Sequence, residues 1–151
     1  MEKLPILKLF SEMCQVFVDT YLIVLMTLEQ ICGKHIIVKQ KMLIYELHQC
    51  IKHLYTDGQL PHLHSCLDEI LHTSILRYEQ MGFVQVNSYS NNKGSKTNFL
   101  MSNAEASKDL TKNLDFLMSV RPFTESQSQT IDDEIANAIM RAQGPGNFAK
   151  L

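Results

Sequence analysis

The sequence predicts a mainly α-helical, bundle-like domain with one small β-hairpin in its middle. Through most of the chain, apolar residues recur at spacings of three and four, which is the period of an amphipathic helix. Between residues 83 and 101 this period stops, and two short apolar runs flank a polar, glycine-containing segment, as in a hairpin. This order of helices and hairpin is similar to a winged-helix arrangement.

The first helix is predicted from Leu4 to Ile31, and Gly33 offers a natural end to it. Its apolar residues lie on more than one face, which is typical of a helix buried on several sides. Asp19 interrupts the most apolar stretch, residues 16–28, and leaves an uncharged run shorter than the roughly 20 residues that span a bilayer. We interpret this stretch as a core helix first and as a membrane-surface contact second.

Two more helices are predicted before the hairpin and two after it. The second helix runs from Val38 to Tyr55, and the third follows Pro61 and ends near Gly82. A fourth helix ends near Met118 after a cap at Ser102 or Asn103, and a polar linker leads to a short amphipathic helix capped by Thr130. The apolar stripe of this last helix consists of Ile131, Ile135, Ala138, Ile139 and Ala142.

These elements divide the chain into three segments. We assign residues 1–122 to a helical domain, residues 123–143 to a linker with a short amphipathic helix, and residues 144–151 to a flexible tail. Gly144, Pro145 and their neighbours cannot continue a helix, so they would hold the last residues of the chain in solvent.

The tail ends in Ala149, Lys150 and Leu151, a close variant of the Ser-Lys-Leu signal that the peroxisomal import receptor binds. The receptor groove must accept the free carboxylate, the Lys150 ammonium and the Leu151 side chain together, so the signal works only at the end of a chain. The sequence therefore predicts a targeting signal at Ala149, Lys150 and Leu151, with the import receptor as a partner.

Composition describes an ordinary globular chain without an obvious charged partner. The 151 residues are 45% hydrophobic and 20% charged, with a net charge of −2. This length is enough for a domain with its own core. Because nucleic-acid binding usually requires a basic surface, we predict no nucleic-acid partner.

Neither the cysteines nor the histidine-rich segment before the third helix predicts a metal site. The cysteines are far apart and lack the paired spacing of zinc sites: they are Cys14, Cys32, Cys50 and Cys66. His62, His64, Cys66 and Asp68 alternate, but on a helix the groups that meet are His64 with Asp68 and Asp68 with His72. We interpret these as pairs on a helix surface and predict no metal.

Two segments carry a family resemblance. They are residues 17–24 (FVDTYLIV) and residues 57–60 (DGQL), the latter followed by a leucine-rich helix that reaches residues 81–83 (MGF). They resemble the C-terminal region of the glycerol-3-phosphate and dihydroxyacetone-phosphate acyltransferase family, over about residues 4–120. The peroxisomal branch of that family is the one expected to end in Ala-Lys-Leu.

The resemblance implies transfer of a fatty acyl group from acyl-CoA to the hydroxyl of dihydroxyacetone phosphate, the first step of ether-lipid (plasmalogen) biosynthesis. It places the protein in the peroxisome, associated with the matrix side of the membrane. It also implies three partners: the family's catalytic domain, which is missing here, the peroxisomal membrane, and alkylglycerone-phosphate synthase.

The family's catalytic motif is not found in this chain. Family members use His-x4-Asp, in which the histidine is the general base and the aspartate orients it. None of the six histidines is followed by aspartate at that spacing, and the nearest approach is His64 with Glu69. We therefore predict no catalytic residue and no cofactor. The alternatives are a non-catalytic peroxisomal adaptor, or an acyltransferase that uses His64 and Glu69.

Overall fold

The structure, a computed structural model, describes residues 3–61, 63, 67–102, 107–120 and 123–143. Over these residues it is mostly helical with a small antiparallel sheet, so the predicted fold class is confirmed. In chain order the elements are α1 (Lys3–Lys34), β1 (Val38–Lys39), α2 (Gln40–Thr56), α3 (Leu67–Gln80), β2 (Val84–Ser90), β3 (Lys96–Ser102), α4 (Ser107–Val120) and α5 (Glu125–Gln143).

α1 forms the centre of the fold, as its many-sided apolar pattern predicted. Every residue from Leu22 to Leu28 is buried, and α1 contacts α3, α4, α5 and β3. We expected the apolar stretch of α1 to be too short to cross a bilayer. This is wrong when judged by length and composition alone, because the 21 residues Cys14–Lys34 are long and apolar enough to do so. However, 61% of an apolar 18-residue stretch within this span is buried inside the fold, which supports its interpretation as a core helix.

The C-terminus of α1 differs from the prediction. The helix continues through Gly33, and His35 instead adopts the left-handed conformation with φ of 52°. The amide of Ile36 donates to the Ile31 carbonyl at 3.0 Å, and the amide of His35 donates to the Cys32 carbonyl at 3.4 Å. This is a Schellman cap, and it turns the chain from α1 into β1.

The sheet has the order β1-β3-β2, and both pairs are antiparallel. The predicted hairpin is confirmed as β2 and β3, with Val86 opposite Leu100. Val38, predicted to begin a helix, instead pairs with Leu100 as part of β1, so α2 begins two residues later. Through its pairing with β3, β1 connects the segment between α1 and α2 to the hairpin.

The helices that follow loops also begin at different residues than predicted. α3 begins at Leu67 rather than directly after Pro61, and α4 begins at Ser107. Ser102, predicted as a possible cap of α4, is the last residue of β3, and Asn103 lies outside the described residues. The apolar stripe of α5 is buried as predicted, and α5 packs on α2 and α1, so it belongs to the same core as they do.

α5 begins at Glu125, so most of the predicted linker is helix and Thr130 lies inside the helix. The true cap is Thr124. Its hydroxyl accepts a hydrogen bond from the Gln127 amide at 3.1 Å, and the Gln127 side chain accepts one from the Thr124 amide at 3.0 Å. This reciprocal arrangement is a capping box, which satisfies two amides that the helix cannot pair internally.

We expect Thr124→Ala to lower the free energy of unfolding by about 1 kcal/mol, because the Gln127 amide loses its acceptor. Thr130→Ala is the matched control, since its hydroxyl only donates to the Ser126 carbonyl within the helix; its effect should stay within about 0.5 kcal/mol. Urea unfolding followed by circular dichroism measures both variants. Equal effects would mean that Thr124 is not the cap.

Candidate functional site

α2 lies between two surface clefts, and its side chains line both. The cleft between α2 and α5, hereafter the α2–α5 cleft, has a volume of about 710 Å³. The cleft between α2 and α3, the α2–α3 cleft, has a volume of about 370 Å³. Tyr45 and Gln49 line both clefts, so the exposed side of α2 forms the ridge between them.

Charged groups from the two helices meet in the α2–α5 cleft. The Arg141 Nε donates to Glu46 Oε2 at 2.8 Å, which ties the end of α5 to α2. The His53 Nε2 lies 3.1 Å from Asp57 Oδ2 and 3.8 Å from Glu134 Oε1. Because the His53 side chain is 55% exposed, water screens these contacts, and we expect them to contribute little to stability.

Cys50 lies at the wall of the same cleft, where a nucleophile would have to be. Burial raises the pKa of its thiol to about 12, and the Glu134 carboxylate adds to the shift while Arg141 opposes it. At neutral pH the thiol is therefore protonated, and a protonated thiol is a poor nucleophile. The α2–α5 cleft thus contains basic and acidic groups, but Cys50 gives it no activated nucleophile.

We expect Cys50 to resist alkylation at pH 8 while Cys14, which is exposed, reacts readily. With a pKa near 12, only about one Cys50 thiol in ten thousand is a thiolate at that pH, and the reagent must also reach a buried atom. Iodoacetamide labelling followed by peptide mass spectrometry compares the two rates in one sample. If Cys50 and Cys14 react at equal rates in the folded protein, this account of the α2–α5 cleft is contradicted. If their rates become equal only when urea unfolds the chain, it is supported.

In the α2–α3 cleft, the His48 Nδ1 is hydrogen-bonded to Asp68 Oδ1, which joins α2 to the first turn of α3. The sequence offered His64 or His72 as partners of Asp68. His64 lies outside the described residues, and His72 lines the same cleft. No group of three or more metal-binding side chains is present among the residues that the structure describes. The local spacing along the helix could not reveal His48, which comes from another element.

A third cleft, between α1 and α5, contains acidic groups. The Gln30 side-chain amide donates to the Asp132 carbonyl oxygen at 3.1 Å and links the two helices there. Burial raises the pKa of Glu29, and the carboxylates of Asp132 and Asp115 raise it further. Burial and the neighbouring Asp133 likewise raise the pKa of Asp132. The folded state is therefore destabilised by these carboxylates when they are ionised.

We expect Asp132→Asn to increase the free energy of unfolding at pH 7. Because the pKa is raised in the folded state, the folded protein binds this proton more tightly than the unfolded chain does, and stability is lost as the pH rises through the folded pKa. The advantage of the variant should therefore shrink as the pH falls toward 4. Urea unfolding across this pH range measures it, with Glu79→Gln, outside this cleft, as the control. An advantage independent of pH would contradict the mechanism.

The residues that the sequence singled out are only partly covered by the structure. Ala149, Lys150 and Leu151 lie outside the described residues, and the described part of α5 ends at Gln143. Glu69 lies exposed on α3, whereas its possible partner His64 is outside the described part. The sequence pattern did not reveal the contacts of Glu46 with Arg141 and of His48 with Asp68, because each joins two helices.

No known family model, curated protein or solved structure matches this chain. The fold itself defines only an architecture: a mainly helical domain with a buried central helix, a small antiparallel sheet and surface clefts beside α2 and α5. The acyltransferase resemblance stays a prediction from the sequence.

Proposed function

We propose that this chain is the C-terminal region of a peroxisomal acyl-CoA:dihydroxyacetone-phosphate acyltransferase, which catalyses the first step of ether-lipid biosynthesis. Its own roles are packing against the catalytic domain and carrying the import signal. The observation that carries the proposal is the final tripeptide Ala149, Lys150 and Leu151. The family resemblance of residues 17–24 and 57–60 points to the same enzyme.

Exposed apolar side chains on α1 and α4 support the packing role. Ile6 on α1 is 58% exposed and Phe116 on α4 is 65% exposed, and these two helices pack against each other. Large apolar side chains that are exposed in the isolated chain are available for contact with another domain. The family's catalytic domain is the partner that the proposal assigns to them.

The attachment of α5 supports the targeting role. Ala142 and Gln143 are buried, and the Arg141 guanidinium is bonded to Glu46 on α2. The last turn of α5 is therefore held against the folded unit, and the residues that carry the signal follow it in the chain. Packing and receptor binding then use separate parts of the sequence and do not compete.

The second candidate is a non-catalytic peroxisomal interaction or adaptor module. It is favoured by the core of this chain, which α1 fills with fully buried residues such as Leu22, Leu25 and Leu28. A chain that completes its own core in this way can fold without a catalytic domain. Both candidates predict that the isolated chain has no acyltransferase activity, so activity of the isolated chain does not separate them.

Precipitation of the native protein tests the proposal. An antibody raised against residues 128–151 is used on solubilised peroxisomes, and the precipitate is assayed for acyl transfer from acyl-CoA to dihydroxyacetone phosphate. We expect activity in the precipitate and none in the purified 17.3 kDa chain. A precipitate that contains only the short chain and shows no acyl transfer would contradict the proposal and favour the adaptor.

A further inference from the structure

We propose that two copies of this chain associate edge to edge through β2, so that their three-stranded sheets form one continuous antiparallel sheet across a two-fold axis. This inference rests on the sheet alone and does not depend on the proposed function. It assigns to β2 a partner of known chemistry, a second copy of the same strand.

Among the residues that the structure describes, β2 is an edge strand of the sheet. In the order β1-β3-β2, it pairs with β3 on one side and with no described strand on the other, over its seven residues Val84–Ser90. In the described part of the chain, no turn or loop backbone hydrogen bond reaches these residues from another element. Such an edge presents a row of backbone donors and acceptors that can pair with another strand.

The hydrogen bonds of the hairpin determine which backbone groups face this open edge. The Asn91 amide donates to the Ser95 carbonyl at 2.9 Å, so Asn91 faces β3. In an antiparallel ladder, successive residues alternate between facing the paired strand and facing away from it. The residues whose backbone groups face the open edge are therefore Val84, Val86, Ser88 and Ser90.

This outward set is symmetric about Asn87, which makes the edge complementary to itself. When two copies of β2 run antiparallel with Asn87 at the two-fold axis, Val86 lies opposite Ser88 of the second copy. Val84 likewise lies opposite Ser90 of the second copy. Each of these pairs can exchange two backbone hydrogen bonds. A two-fold interface requires such self-complementarity, because the same residues meet from both sides.

The composition of β2 favours a second copy over a different protein. Its sequence, VQVNSYS, contains no charged residue and no proline, the residues that usually protect a sheet edge. The nearest lysines, Lys93 in the turn and Lys96 at the start of β3, would lie toward opposite ends of the paired strands rather than opposite one another. Self-pairing of β2 therefore does not bring these lysines together, and the strand carries no charge with which to select another partner.

A proline at Ser88 tests the proposal. It removes an outward amide while the bonds between β2 and β3 are kept, and proline is tolerated at such edge positions. Ser88→Ala is the matched control, because both variants lose the bond from the Ser88 hydroxyl to Asn98 Oδ1. Sedimentation equilibrium should show dimers for the unchanged chain and for Ser88→Ala. For Ser88→Pro, we expect the dissociation constant to rise by about tenfold or more.

A cysteine at the two-fold axis gives a second readout that does not depend on how Ser88→Pro folds. In a Cys14→Ser background, Asn87→Cys places two thiols directly opposite each other, about 4.5–5.5 Å apart at Cβ, close enough for a disulfide after a small adjustment. Tyr89→Cys is the control, since Tyr89 would face Gln85 of the second copy. Oxidation should yield a covalent dimer for Asn87→Cys and not for Tyr89→Cys.

Two results would overturn the proposal. If the chain stays monomeric up to its solubility limit, β2 does not pair with a second copy, and an extended segment of another protein becomes its candidate partner. A dimer that tolerates Ser88→Pro and does not cross-link through Asn87→Cys would associate through a surface other than β2. Neither result bears on peroxisomal import or acyl transfer, so failure here is distinguishable from failure of the proposed function.

Discussion

A fluorescent protein that carries this chain at its C-terminus is expected to enter peroxisomes, and Leu151→Ala is expected to leave it in the cytosol. The change removes most of the side chain that the receptor groove must accept together with the carboxylate and the Lys150 ammonium. Leu151 is not among the core residues that the structure describes, and circular dichroism checks that the substitution leaves the fold unchanged. The effect on localisation should therefore be close to complete.

Two controls make this result specific. Lys150→Arg keeps the positive charge and should retain import, whereas one glycine added after Leu151 moves the carboxylate and should abolish import. Circular dichroism spectra of all variants should be superimposable, since the fold is unchanged. Import of Leu151→Ala at the level of the unchanged chain would refute the targeting signal and remove the main support for the proposed function.

Leu47→Ala should produce the largest loss of stability among the substitutions considered. Leu47 is fully buried on α2. This helix packs against α3, α5, β1 and β3. Removing its side chain eliminates buried apolar contacts and leaves a cavity, for a cost of about 3 kcal/mol. We expect the free energy of unfolding, measured in urea, to fall by that amount.

Leu76→Ala is the matched control, since it is the same substitution in a helix at a side chain that is 52% exposed. It should change the free energy of unfolding by no more than about 0.5 kcal/mol. Similar losses for both variants would mean that α2 does not pack in the core as described. Cys50 reactivity provides an independent check, because loosening of α2 in Leu47→Ala should expose the Cys50 thiol to alkylation.

Much of the fold could be predicted from periodicity. The apolar stripe of α5, with Ile131 and Ile135 fully buried, followed directly from the helical spacing, and so did the hairpin from its polar turn. β1 could not be predicted, because its two residues have no period and are strand only through pairing with Phe99 and Leu100. Val38 was assigned to a helix for the same reason, because only its pairing with Leu100 makes it a strand residue.

Helix ends were the least predictable part. Gly33 was expected to end α1, because glycine accommodates the left-handed conformation that a C-terminal cap requires. The structure places that conformation at His35, where the Ile36 and His35 amides complete the cap. At α5 the sequence analysis placed the cap at Thr130, and this was wrong, because the reciprocal hydrogen bonds with Gln127 make Thr124 the cap.

The candidate sites depended most on tertiary structure. Helical spacing can pair only residues three or four apart, such as His53 with Asp57, which the structure places 3.1 Å apart. The pairs of His48 with Asp68 and of Glu46 with Arg141 join residues 20 and 95 positions apart, so only the folded chain brings them together. The predicted targeting signal is the opposite case, since the prediction rests on the sequence alone and needs no fold.

The length of the native protein tests the central claim most directly. An immunoblot of source cells uses an antibody raised against residues 128–151, with the purified chain as the size standard. The account predicts a band several-fold heavier than 17.3 kDa, enriched with peroxisomes, because the catalytic domain would belong to the same polypeptide. A single band at 17.3 kDa would contradict it and make this chain a product in its own right.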